Sequence, residues 1–222
     1  MGTKINTQQE ASCCVVISAG EIADYAGVRA RIPPGSFVLC ADGGLRHCKG
    51  LHLTADLLVG DFDSLGRPPP GIPTVTLPPD KNYTDTDHAV EEAVGRGYRR
   101  LLLCGALGGR PDHTIANLQT LARCAAQGLE ARITDGVTDI YALSARGERR
   151  ELWLEPRAGH YFSLLSMVDA CAGVTIRGGK YPLEHYPLSS LEARAVSNEF
   201  TGEPVCISME EGVLVVVVTP MD

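Results

Sequence analysis

Asp61-Phe62-Asp63 puts two carboxylates one residue apart, so both can reach a single cation from a tight turn. Oxygen-only ligands of that kind suit magnesium. More acidic groups, Asp80, Asp85 and Asp87, follow another short apolar run, and single aspartates stand at Asp42 and Asp112. Carboxylates gathered in one place repel one another unless a divalent cation sits among them or some take up protons. The stretch Gly105-Ala106-Leu107-Gly108-Gly109-Arg110-Pro111-Asp112-His113 supplies the complementary half. Glycines ahead of a helix start expose backbone N–H groups, the helix amino end is electropositive, and a guanidinium forks onto phosphate oxygens. The stretch matches neither the Walker lysine loop nor the dinucleotide fingerprint, so it reads as a phosphate cradle of another kind. Lys81 and His113 are further candidate contacts. The combination describes a site for a nucleotide polyphosphate, where catalysis is mostly positioning and charge neutralisation.

Any one of these loops alone reads as an ordinary strand-ending turn, since Asp and Gly end strands everywhere. The elements that carry them make the difference. Cys13 to Ser18, Phe37 to Cys40, Asp56 to Val59 and Leu101 to Cys104 are short apolar runs, each breaking abruptly into Gly or Asp. Continuous apolar strands without alternation belong to a parallel sheet covered by helices on both faces, which predicts a doubly wound α/β domain. In such a sheet the carboxyl ends of the strands share one edge, so Asp42, Asp61, Asp63 and Asp112 should meet in a crevice. One helix is expected from Thr84, as cap, to Gly95, with Asp85 and Asp87 in its first turn, where the helix dipole favours negative charge. Another should start at Pro111 and stop at Gly128.

Beyond Ser144 the helical spacing disappears. Segments with partial alternation at 151–155, 161–167, 174–177, 193–197, 205–209 and 213–219 are separated by turns containing Gly, Pro or Asp, which predicts a small β-sandwich. The expected division is an α/β nucleotide- and metal-binding domain over 1–143 and a β-sandwich domain over 144–222.

The 222-residue chain carries 20 basic and 27 acidic residues for a net charge of −7, with no long block of either sign. That argues against a nucleic-acid backbone or an anionic membrane as partner. The polar amino terminus lacks the apolar core of a secretory signal, and the run from Val213 to Val218 falls far short of a membrane span, so a cytoplasmic protein is expected. Eight cysteines, four of them in apolar runs and none in a Cys-x-x-Cys pair, read as reduced core thiols.

The chain closely resembles the thiamine pyrophosphokinase family over nearly its whole length. The resemblance rests on Ala41-Asp42-Gly43-Gly44, Gly60-Asp61-Phe62-Asp63-Ser64, Lys81-Asn82-Tyr83-Thr84-Asp85, Gly105 to His113 with Asn117, Lys180-Tyr181-Pro182-Leu183 and Ser197-Asn198-Glu199. Two positions depart from the family pattern: Asn82 stands where it commonly has Asp, and Ala19-Gly20 where it often has Gly-Gly. The resemblance implies ATP-dependent transfer of diphosphate to the hydroxyl of thiamine, giving thiamine diphosphate and AMP. It implies Asp61, Asp63 and Asp85 as ligands of Mg2+. Asp42, Arg110 and Asp112 become nucleotide or phosphate contacts, joined by Gly43, Gly44, Lys81, Thr84, Gly108, Gly109 and His113 from the same motifs. It also implies a homodimer in which the sandwich of one subunit completes the crevice of the other, with Ser197 and Asn198 facing thiamine. Two other readings are a diphosphokinase for another small alcohol such as a hydroxymethylpterin, and a nucleotide- or thiamine-binding module without turnover.

Overall fold

A computed structural model describes residues 12–62, 68–78, 83–146 and 150–221. The chain divides into two compact units, one holding the residues up to Asn117 together with Glu130–Val137, the other Leu118–Leu129 together with the residues from Thr138 onward.

The first unit is built on six parallel strands, β1 (Cys13–Ile17), β2 (Phe37–Ala41), β3 (Leu57–Gly60), β4 (Thr74–Thr76), β5 (Arg100–Cys104) and β6 (Glu130–Thr134), in the order β6-β5-β1-β2-β3-β4. Every residue of β1 and β3 is buried, as are all but the first of β2 and β5. That burial on both faces is what the unbroken apolar runs require. Helices α1 (Tyr25–Arg31) and α2 (Arg46–Leu51) supply Val28, Cys48 and Leu51 to one core, shared with Val15, Ile17, Cys40, Leu58 and Leu102. Helix α3 (Asp85–Gly95) buries Ala89, Val90 and Ala93 and packs against β1, β2 and β3. A cavity-forming change in such a core, Leu58→Ala for instance, costs about 2–5 kcal/mol.

Thr84 caps α3 by accepting the Asp87 N–H on its side-chain oxygen at 3.1 Å, and Asp85 and Asp87 occupy the first turn. Helix α4 (Pro111–Ala126) starts at its proline. Between β2 and α2 lies one 3-10 turn, Asp42–Leu45. Three elements of this half escape the sequence reading, α1, α2 and β6; α1 carries Gly27 in its first turn, which weakens any helical pattern.

In the second unit two antiparallel sheets face each other. One has the order β12-β9-β14-β7 and the other β11-β10-β13-β8. Their strands are β7 (Asp139–Ser144), β8 (Glu151–Leu154), β9 (His160–Ser166), β10 (Ala170–Arg177), β11 (Leu183–Ser189), β12 (Asn198–Glu199), β13 (Val205–Ser208) and β14 (Val213–Pro220). Leu143, Phe162, Leu164, Leu214 and Val216 from the first sheet share one core with Leu154, Val174, Ile176, Leu188 and Ile207 from the second, so the sandwich expected from the sequence is present. The strand expected at 193–197 is not. Its residues form turns, with Ala195 buried and its carbonyl accepting from Leu164 N–H at 2.8 Å, and Ser197 turns into left-handed backbone at φ 58°. All eight cysteines are free thiols and buried, in line with the core role expected of them.

Candidate functional site

The order in which strands are added reverses between β1 and β5: β2, β3 and β4 extend to one side of β1, β5 and β6 to the other. At such a point the connections that follow adjacent strands run in opposite directions along the sheet, and the crevice at the carboxyl ends of the strands there is where open α/β sheets bind ligands. A cavity of about 350 Å³ opens there, within the size range of small-molecule sites. Ser18 and Gly20 line it after β1, Asp42 after β2, and Gly105 and Ala106 after β5. The amino ends of α3 and α4 complete it with Thr84, Asp85 and Thr86 on one side and Gly108, Gly109, Arg110 and His113 on the other. Two helix amino ends facing one cavity bring positive dipole ends and exposed N–H groups to it.

The wall is tied together by short hydrogen bonds. Gly20 N–H donates to Gly105 O at 2.6 Å, Glu21 N–H to Leu107 O at 2.8 Å and Ser18 N–H to Cys104 O at 2.8 Å, so the loops after β1 and β5 are zipped along their length. Gly105 stands at φ 62°, and a Cβ on it would lie 2.4 Å from Ser18 O, which makes glycine the only residue that fits. Thr86 Oγ1 donates to Ser18 Oγ at 2.8 Å and Asn117 Nδ2 to Ala106 O at 2.8 Å, both buried. Arg46 donates to Ala19 O and, at 3.3 Å, to Gly20 O. His47, only 4% exposed, meets Gly20 O through Nε2 at 2.9 Å and Tyr25 Oη through Nδ1 at 2.7 Å. Burial pushes the His47 imidazole below its ordinary range, with Arg46 adding to the fall and Gly20 O opposing it. A neutral ring bonded to a carbonyl through Nε2 carries its proton there, so Tyr25 O–H donates to Nδ1.

Of the residues expected at the site, Asp42, Thr84, Asp85, Gly108, Gly109, Arg110 and His113 line this one cavity. Asp42 sits at φ 40°, an uncommon conformation for a residue with a side chain, which aims the turn at the end of β2. Gly43 and Gly44 follow it in the 3-10 turn, and a Cβ on Gly44 would strike Ile17 O at 2.0 Å. Asp61 is half-buried directly after β3, at the same edge of the sheet. Asp63 and Lys81, together with Asp80 and Asn82, lie outside the described residues. Arg110 and Asp112 form an exposed fork at 3.1 and 2.5 Å, which holds the Asp112 carboxyl below the usual carboxylate range and raises the guanidinium. Such an exposed pair is readily exchanged for another anion.

The lining includes the carboxylates of Asp42 and Asp85 and the hydroxyls of Ser18, Thr84 and Thr86, oxygen ligands of the kind magnesium takes. Among the described residues no three His, Cys, Asp or Glu side chains converge as a metal cluster; Asp85 is in the lining, Asp61 at the end of β3.

In the second unit Ser197 N–H donates to Ser163 Oγ at 3.0 Å. Asn198 is 3% exposed, and its amide is fully engaged inside the protein: Nδ2 donates to Tyr181 O at 2.7 Å, and Oδ1 accepts from Tyr181 N–H at 3.0 Å and Glu199 N–H at 2.9 Å. Lys180 Nζ meets Glu199 Oε1 at 2.7 Å beside it. The Lys180 to Leu183 and Ser197 to Glu199 segments are thus one hydrogen-bonded unit.

Ser18, Gly20, Thr86 and the Arg46–His47 pair are contributors that residue spacing did not single out, because their partners are backbone atoms or a lone hydroxyl far away in the chain.

The profile for "Thiamin pyrophosphokinase, catalytic domain" matches residues 32–133, and that for "Thiamin pyrophosphokinase, vitamin B1 binding domain" matches 151–214. Thiamine pyrophosphokinase of Bacillus subtilis (strain 168) is 24% identical over 164 residues, 71% of this chain and 75% of that protein. Thiamin pyrophosphokinase 1 of Caenorhabditis elegans is also 24% identical, over 168 residues, 71% of this chain and 68% of that one. The crystal structure of the Bacillus subtilis thiamine pyrophosphokinase superposes with a TM-score of 0.82 at 20% identity, covering 95% of this chain and all of that one (100%). Yeast thiamin pyrophosphokinase superposes with a TM-score of 0.70 at 16% identity, covering 98% and 89%. With both domain profiles matched in order and together spanning most of its length, the chain belongs to the thiamin pyrophosphokinase family.

Proposed function

We infer that the chain transfers the β,γ-diphosphate of ATP to the hydroxyl of thiamine, giving thiamine diphosphate and AMP. The observation that carries this is the cavity between β1 and β5, where two helix amino ends and a glycine-rich loop meet the carboxylates Asp42 and Asp85 on a chain of this family. The hydroxyl oxygen of thiamine forms a bond to the β-phosphorus in line with the bond that breaks, the one to the α,β-bridging oxygen. AMP leaves with that oxygen, and the hydroxyl proton is released. Gly108, Gly109 and the first turn of α4 present N–H groups to phosphate oxygens, and Arg110 exchanges Asp112 for phosphate as charge develops. His113, in the same turn, contacts the phosphates, Thr84 lines the cavity beside them, and Lys81 is a further proposed phosphate contact. Asp42, with Gly43 and Gly44 giving its turn room, orients the nucleotide.

Asp61, Asp63 and Asp85 are the proposed ligands of Mg2+, which would supply neutralisation of phosphate charge. The α/β part, 1–143, serves the nucleotide, and the β part, 144–222, serves thiamine through Ser197 and the Asn198-anchored Lys180–Leu183 segment. The family resemblance supports a homodimer with thiamine bound where two subunits meet. The proposed setting is cytoplasmic, resting on the polar amino terminus alone.

Incubating the protein with ATP, magnesium and thiamine should yield AMP and thiamine diphosphate in equal amounts. ADP as main product, turnover only with a hydroxymethylpterin, or binding of both ligands without AMP would each overturn the reading.

A further inference from the structure

The cavity meant for a polyphosphate has two backbone carbonyls, those of Ala19 and Gly20, in the loop that forms its β1 wall. Carbonyl oxygens carry partial negative charge, and at the wall of an anion site they oppose the ligand unless donors hold them. Here two consecutive residues at the start of α2 do so. Arg46 donates to both carbonyls, and His47 Nε2 donates to Gly20 O at 2.9 Å. The Gly20 peptide is thereby fixed from both ends, because its N–H donates to Gly105 O at 2.6 Å in the glycine-rich loop opposite. His47 is itself fixed from behind. Tyr25 Oη, on α1, lies 2.7 Å from Nδ1, which holds the ring in the tautomer that keeps a proton on Nε2.

We propose that Arg46 and His47 are positioning residues for the nucleotide: they clamp the Ala19–Gly20 wall and neutralise its carbonyls, with Tyr25 setting the tautomer of His47. The proposal rests on the reading of this cavity as the ATP site. Arg46 brings a full positive charge, and its guanidinium is exposed. His47 brings direction, since it is buried, neutral and bonded on both ring nitrogens. The clamp holds main-chain carbonyls of the wall, so it acts on whichever groups of ATP face that wall.

The test compares two variants of similar polarity. The amide of glutamine in His47→Gln reaches the place of Nε2, whereas that of asparagine in His47→Asn reaches only the place of Nδ1. His47→Asn should raise the ATP KM roughly five- to thirtyfold, because Gly20 O loses its buried donor, while the thiamine KM and kcat stay within about twofold. His47→Gln should recover the ATP KM to within about threefold of the wild type. Equal ATP KM values for the two variants, or a matching rise in the thiamine KM, would show that His47 only packs, and would overturn the proposal. Should neither variant fold, the exposed Arg46→Leu must show the same selective rise for ATP, and a wild-type ATP KM there would also overturn it. Wild-type protein titrated with ATP separates the two layers of argument. If the wild type itself fails to bind ATP, the assignment of the cavity is wrong; if it binds and the variants are unaffected, only the clamp is.

Discussion

Asp85 does two things at one position: it opens α3, where a negative charge favours the helix, and it lines the cavity. Asp85→Asn separates them, because Thr84 still caps the helix and only the charge is lost. Turnover should fall about a hundredfold or more, as loss of a proposed magnesium ligand would require, while the melting temperature moves by no more than a few degrees. Near-wild-type rates at limiting magnesium would reduce Asp85 to a helix-start residue. His47 predicts the pH response. Burial lowers its folded value below the ordinary 6.5, so as pH falls through that value the unfolded chain takes up a proton before the folded one does. Stability is therefore complete above about pH 6.5 and is lost below it, until the folded ring also protonates. Asp112 acts in the same direction at lower pH: held low by its hydrogen bond to Arg110, it stabilises above the ordinary carboxylate range and loses that contribution in stronger acid. Melting curves at about pH 7.5 and 5.5 should thus show a larger drop for the wild type than for His47→Gln. The same drop in both would mean that another group titrates.

Asn198 holds two segments of the second unit together, and its three hydrogen bonds are spent on Tyr181 and Glu199 backbone rather than on an open face. Asn198→Ala removes the hydrogen bonds to the part-buried Tyr181 N–H and C=O, at about 1–3 kcal/mol in all, which lowers the melting temperature by roughly 3–10 °C. Because the Lys180–Leu183 segment is then loosened, the thiamine KM should rise while the ATP KM stays put; a variant as stable as the wild type would contradict the anchoring role. This geometry shows where sequence reading reaches and where it stops. The four buried strands of the first unit, the Thr84 cap and the Pro111 start were legible because each depends on local composition: an apolar run, a hydroxyl before a helix, a proline at its first turn. The cavity followed from them, since a parallel sheet brings strand ends together whatever lies between. Strand β11 was not legible, with Pro187 in its middle, and the expected strand at 193–197 gave way to turns around left-handed Ser197. The Arg46–His47 clamp was invisible for a different reason. Its acceptors are carbonyls 26 and 27 residues away, and every residue has a carbonyl.

For the molecule as a whole, the proposed division of labour has a consequence that neither half shows alone. If the α/β part of one copy works with the β-sandwich of another, lesions in the two halves should complement each other in mixed dimers. Asp85→Asn damages the nucleotide side and Asn198→Ala the thiamine side. In a heterodimer of the two, one pairing combines both lesions and is dead, and the other combines two intact halves. Random reassociation at equal amounts makes about half of all dimers mixed, each with one good site of two, so about a quarter of the wild-type sites return. The assay belongs at a thiamine concentration well below the KM of Asn198→Ala, where each parent protein alone is nearly inactive. If every site is instead built within one copy, each mixed dimer holds one copy damaged on the nucleotide side and one on the thiamine side, and mixing gives only the average of the parents. Sedimentation of the wild type, run beside the assay, must show a dimer for the complementation result to count, and a monomer at assay concentration would exclude a shared site outright.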